Sequence, residues 1–309
     1  MRPLRLAIVT IVLALAAAAA VVLAQAVILE DDPVVVAVGD IACDPGDEEF
    51  NSGLGSDSDC RHKHTSDLVV DEQPTAFLAL GDLQYEDGEL DKFQRSYDRT
   101  WGRVKEITRP VPGNHEYRSA GAAGYFDYFE DTAGERGKGY YSFDVGDWHL
   151  VALNSNCDEV GCGSGSPQLD WLRRDLAASS KRCTLAYWHH PRFTSSEVHD
   201  DDPAVEPFWE VLYEHGADLV VVGHAHNYER FAPQDPDGDE DAARGLRQFV
   251  VGTGGKSLYP FEEPEPNSEV RDAGAYGVLR LTLRESGYDW EFVPEEGEDF
   301  WDEGSADCH

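Results

Sequence analysis

Eight side chains set the chemistry open to this chain: Asp40, Asp82, Tyr85, Asn114, His115, His189, His224 and His226. Each sits just beyond a short apolar run. Asp40 follows Val34–Val38, Asp82 and Tyr85 follow residues 76–80, and Asn114 and His115 follow 109–111; His189 follows 184–188, and His224 and His226 follow Leu219–Val222. Carboxylate, imidazole, amide oxygen and phenol are ligands for hard and borderline metal ions, and no thiol stands among them. So many donors exceed what one ion takes. A carboxylate bridging two ions, with a few further ligands for each, holds metals about 3.5 to 4 Å apart, and Asp82 is the natural bridge. Water held between two such cations becomes a nucleophile near neutral pH.

The runs that carry these residues show no polar alternation, as expected of strands covered on both faces. Helical spacing predicts helices over 65–71, 90–101, Pro167–Ala178 and 204–214, with Ser166 as the N-cap of the third and Pro167 in its first turn. Residues 140–145 and 148–153 flank Gly146-Asp147 and read as a hairpin. Further strands are expected at 248–251, 278–283 and 288–293, the last two joined by Glu285-Ser286-Gly287. No linker or fixed-period repeat interrupts this pattern, so the expectation is one α/β domain over 33–295, two packed sheets with helices outside, and an acidic tail at 296–309. In such sheets ligands bind beyond the strand C-termini, where all eight residues lie.

The chain opens with Arg2 and Arg5, an apolar run over 6–23, and Ala24-Gln25-Ala26, which predicts an export signal over 1–26 cut after Ala26. An uncleaved anchor is the alternative, because the run approaches the ~20 residues that span a bilayer. Either reading places the remainder outside the cytoplasm, secreted or membrane-anchored. Six cysteines in an oxidising compartment can form three disulfides. Cys157 and Cys162 share a short Gly/Ser loop, Cys43 and Cys60 bracket a polar insertion, and Cys183 and Cys308 remain. With 60 acidic against 25 basic residues, the formal net charge is −35, which disfavours nucleic-acid binding through phosphates. The same excess suits life in high salt, or simply an acidic exported protein.

Taken in order, Gly39-Asp40, Gly81-Asp82-x-x-Tyr85, Gly113-Asn114-His115-Glu116, His189-x-Pro191 and Gly223-His224-x-His226 resemble the motifs of a calcineurin-like metallophosphoesterase. The wider family carries His two residues after the first Asp, where this chain has Ala42. Purple acid phosphatases lack that His and take a Tyr from the second motif, which Tyr85 supplies, and 223–230 resembles their fifth motif. The resemblance implies a four-layer α/β/β/α sandwich of two mixed sheets. It implies Asp40, Tyr85 and His226 on Fe(III), Asn114, His189 and His224 on Zn, Fe(II) or Mn(II), and Asp82 between them, with a colour arising from phenolate on ferric iron. The implied reaction is hydrolysis of a small phosphate monoester by a hydroxide that two cations hold, with Asn114 and His115 contacting substrate and His115 and His199 as candidate proton donors to the leaving group. A phosphodiesterase or nucleotide hydrolase on the same site, and a surface protein that binds without turnover, are the alternatives. His190 reads as a supporting residue, because neighbours along a strand face opposite ways. His62, His64, His149 and His215 read as surface or packing residues, and Gly252 to Ser257 as a loop near the site rather than a nucleotide loop.

Overall fold

The computed structural model describes residues 32–309, so the expected export segment 1–26 lies outside the described residues. The chain begins with three short strands, β1 (Val34–Val38), β2 (Ala76–Ala79) and β3 (Thr108–Pro110). It continues through β4 (Tyr141–Val145), β5 (Trp148–Ala152), β6 (Cys183–Tyr187), β7 (Leu219–Val222), β8 (Tyr228–Phe231), β9 (Arg247–Val251) and β10 (Ser268–Asp272). It closes with β11 (Gly277–Arg284), β12 (Gly287–Pro294) and β13 (Glu303–Asp307). One sheet has six strands in the order β13-β12-β11-β1-β2-β3, and the other has seven in the order β10-β8-β9-β7-β6-β5-β4. Both are mixed: β1 pairs parallel with β2 and antiparallel with β11, while β5, β6, β7 and β9 run parallel between antiparallel flanks.

The pleat of β6 shows how the layers stack. Leu185 and Tyr187 enter the core shared with Val35, Phe77 and Leu279 of the facing sheet. Ala186 and the following Trp188 turn outward to Leu172 and Leu176 of helix Pro167–Ala178 and to Phe208, Trp209 and Leu212 of helix Glu206–Glu214. On the other side, helix His62–Glu72 lies along β11, tied by Arg280 Nε to Glu72 at 2.8 Å, and Trp101 stacks on Phe77 at 4.7 Å. The result is the expected four-layer α/β/β/α sandwich. Among the described residues no helix is long and apolar enough to cross a membrane.

Three expectations need correction. Helical spacing over 90–101 is broken at Ser96, whose hydroxyl donates to the Cys43 carbonyl (2.6 Å), leaving helices Leu90–Arg95 and Tyr97–Thr100. The acidic residues at 296–309 are more than a tail: Glu303–Asp307 forms β13, antiparallel to β12, while Cys308 bonds to Cys183 at the start of β6 as expected. Strands β8 and β10 were not expected at all. The other two bridges, Cys43–Cys60 and Cys157–Cys162, pair as expected.

Candidate metal centre

Strands β1, β2, β3, β6 and β7 deliver the predicted side chains to one edge, where they form two clusters with one atom in common. In the first, Tyr85 Oη lies 3.1 Å from Asp40 Oδ1, 3.3 Å from Asp82 Oδ2 and 2.9 Å from His226 Nε2. In the second, His189 Nε2 lies 3.4 Å from the same Asp82 Oδ2, 3.2 Å from Asn114 Oδ1 and 3.1 Å from His224 Nδ1. Backbone carbonyls fix the ring orientations: His189 Nδ1 donates to Leu80 (2.8 Å) and His226 Nδ1 to Ser257 (2.7 Å), which leaves each Nε2 facing into the clusters.

The turns that present these groups are tight. Asp40, Asp82 and His224 have φ of 62°, 49° and 69°, a left-handed backbone that non-glycine residues adopt mainly where the surroundings enforce it. Glycine precedes Asp82 and Asn114 for a steric reason. A Cβ on Gly81 would stand 2.6 Å from His189 Nδ1, and one on Gly113 would stand 2.2 Å from Asp82 Oδ1. Glu116, to which the motif alone assigned no task, is fully buried and holds the arrangement together. Its carboxylate accepts the backbone N–H groups of Asp82 (2.9 Å), Leu83 (2.9 Å), Gln84 (3.2 Å) and Gly113 (2.7 Å). The 252–257 loop serves as a brace: Lys256 N donates to the Asp40 carbonyl (3.0 Å), while the Lys256 ammonium is held by Asp59 (2.8 Å) of the Cys43–Cys60 loop.

His115 and His199 border the same centre. His115 Nε2 is 3.8 Å from Asp82 Oδ2, with Nδ1 donating to the Glu86 carbonyl (2.6 Å), and the His199 ring lies 3.9 Å from that of His224. Tyr259 was missed by sequence reading. It stacks on His226 at 4.0 Å and 9° and lies 5.5 Å from His199, yet nothing in its sequence neighbourhood marks it. His190 does not face away as the pleat argument expected, because β6 has ended at Tyr187. Its ring lies 4.5 Å from His224, and its Nδ1 lies 2.8 Å from Ser155 Oγ.

The electrostatics are those of a centre built around positive charge. Burial alone would raise the Asp82 carboxyl, but the His189, His115 and His224 imidazoles hold it well below the usual range. Burial would lower His189, and the Asp82 carboxylate overrides it, raising the imidazole to about 9. His224 is pushed well down by burial and by the neighbouring imidazoles. Burial, Asp40 and Asp82 drive the Tyr85 phenol well above its ordinary value. A cation favours carboxylate, neutral imidazole and phenolate together, so it reinforces the pressures on Asp82 and His224 and reverses those on His189 and Tyr85. The donor set therefore fits hard or borderline cations, and Asp82 belongs to both clusters.

Known proteins resemble this chain. The family model described as calcineurin-like phosphoesterase matches residues 33–228. Purple acid phosphatase 15 of Arabidopsis thaliana is 28% identical over 206 residues, covering 54% of this chain and 38% of the relative. Purple acid phosphatase 21 of the same plant is 29% identical over 249 residues, covering 70% and 53%. The chain thus spans about half the length, or less, of these relatives. Among solved structures, the yellow lupin purple acid phosphatase PPD1 has the same fold, with a TM-score of 0.69 and 21% identity over 89% of this chain and 53% of that one. GAP50, titled the anchor in the inner membrane complex of Plasmodium, shares it at a TM-score of 0.63 and 12% identity, over 91% and 90%. With its motifs in order, its sandwich in place and its side chains gathered at one sheet edge, this chain belongs to the calcineurin-like phosphoesterase family.

Proposed function

We propose that this chain is an exported phosphatase that hydrolyses phosphate monoesters with two metal ions. The observation that carries this reading is Asp82 Oδ2, which stands 3.3 Å from Tyr85 Oη and 3.4 Å from His189 Nε2 and so belongs to both clusters. Asp40, Tyr85 and His226 would hold one cation, best a ferric ion given the phenol. Asn114, His189 and His224 would hold a divalent partner such as zinc, iron or manganese. When bound, the pair supplies a nucleophilic water and neutralises phosphoryl charge.

The protein's own groups complete the task. Asn114 and His115 stand where the ester must sit, and each of His115 and His199 can pass a proton to the departing alkoxide. With its Nδ1–H committed to the Glu86 carbonyl, His115 makes that transfer as an imidazolium, giving up the proton on Nε2. Three disulfides support an oxidising, extracytoplasmic location. Some curated relatives are named probable inactive purple acid phosphatases, but here every ligand position of the motif set is filled, which argues for turnover.

Replacing Asn114 with Ala is expected to lower phosphate release from an aryl phosphate at least about 100-fold while the circular dichroism spectrum stays unchanged. Activity retained within a few fold would remove the proposed role of the centre.

A further inference from the structure

Ser155 and His190 meet beside the metal centre, and the hydrogen bonds between them fix where the His190 proton sits. Buried Ser155 follows β5 in a loop that Gln168 of helix Pro167–Ala178 holds through both ends of its amide. Gln168 Oε1 accepts from Asn154 N (2.8 Å), and Nε2 donates to the Asn154 carbonyl (2.9 Å). From that loop Ser155 Oγ accepts the backbone N–H groups of His189 (3.3 Å) and His190 (3.0 Å). A hydroxyl has two lone pairs and one proton, so with both lone pairs taken it can only donate to its third neighbour, His190 Nδ1, at 2.8 Å. An imidazole that accepts at Nδ1 carries its proton on Nε2.

That Nε2–H has no acceptor among the described residues, and it is not sealed from solvent. The half-buried ring lines a cavity of about 430 Å³ together with Asn114. It lies 4.8 Å from the His189 ring and 4.5 Å from that of His224, the two imidazoles of the second cluster. Its backbone is held as well, Trp188 Nε1 donating to the His190 carbonyl at 2.7 Å. A ring nitrogen of His190 comes within 4.8 Å of ring nitrogens of both neighbours, yet His190 is no third imidazole ligand. A nitrogen that carries a proton has no lone pair for a cation, and Nδ1 is spent on Ser155. What is left is a neutral N–H donor open to the space beside Asn114.

We infer that His190 is a catalytic residue of this phosphatase, its Nε2–H donating a hydrogen bond to a non-bridging oxygen of the phosphoryl group as charge builds there. This deepens the phosphatase reading and rests on it. The task differs from that of His115 and His199, because the proton stays on Nε2 throughout and no leaving group receives it. Ser155 is the positioning residue that acts through the ring.

Two amide replacements separate this contact from a packing role. In His190→Asn the short side chain can stand in for Nδ1 and accept from Ser155 but does not reach the Nε2 position, whereas in His190→Gln the longer amide can place an N–H there. With p-nitrophenyl phosphate, kcat/KM is expected to fall about 100-fold in His190→Asn and to stay within about 10-fold of the wild type in His190→Gln, with the metal content unchanged in both. His190→Asn as active as His190→Gln, or more so, is the behaviour of a residue that only anchors Ser155 and would overturn the inference. Loss of metal in either variant would make His190 a ligand and overturn it too. A wild type without turnover strikes the phosphatase reading instead, and the inference is then read from calorimetry of inorganic phosphate with the metal-loaded chain. There His190→Asn is expected to bind phosphate more weakly than His190→Gln, and equal affinity, or no binding by any of the three proteins, overturns the inference.

Discussion

Glu116 is the residue on which the geometry of the centre turns, although it touches no proposed ligand through its own side chain except by way of backbone N–H groups. Four amides from two loops converge on it, and burial with the nearby Asp82 charge raises its carboxyl to about 7. Truncation leaves those donors buried and unmet, at about 1 to 3 kcal/mol for each group that water cannot reach. Urea unfolding of metal-free Glu116→Ala should therefore show a loss of about 4 kcal/mol or more, and a loss below about 1 kcal/mol would contradict this role. The residues of the proposed centre were legible in the sequence, because each is a chemically distinctive residue stationed directly after an apolar run. Glu116 and Tyr259 were not, since their work depends on which loops meet in space. A carboxylate that serves four amides looks, in sequence, like any acidic loop residue.

At the scale of elements, what could be read was what local physics decides. Helix Pro167–Ala178 starts where Ser166 caps it, its hydroxyl accepting from Leu169 N at 3.2 Å, and β7 is an uninterrupted apolar run. Strand β13 escaped notice because Glu303–Asp307 offers no apolar alternation; its partner β12 and the Cys183–Cys308 bridge place it. Another tie between elements makes a prediction about pH. Buried His149 on β5 lies 2.9 Å from Asp144 on β4 and 2.8 Å from Asp175 on helix Pro167–Ala178, with Lys181 Nζ 3.8 Å from Asp144. Burial would lower this imidazole, but the Asp175 and Asp144 carboxylates outweigh it and raise its pKa. The folded value exceeds the unfolded one, so the stabilisation is complete below about 6.5 and is lost as pH rises through the folded value. Denaturation midpoints between pH 6 and 9 should fall in the wild type by a component absent from His149→Gln. Parallel curves for the two proteins would refute the clamp.

For the whole molecule, one disulfide ties the two mixed sheets together, Cys183 at the start of β6 to Cys308 just after β13, 125 residues apart in sequence, while Cys43–Cys60 and Cys157–Cys162 close local loops. The sandwich was legible as a class, since apolar strands without alternation require cover on both faces. Sheet order and the crossing of β1 to β11 were not, because pairing between strands so far apart leaves no local trace. The net charge of −35 acts over the same scale. It keeps the surface hydrated while the centre gathers its carboxylates and imidazoles around a place for positive charge. That place is tested most directly by the metal content of the purified chain, taken on the same sample as phosphate release from an aryl phosphate. About two metal ions per chain together with ester hydrolysis are expected. Hydrolysis by a chain that holds one ion or none, or two ions with no turnover of any phosphate ester, would contradict it.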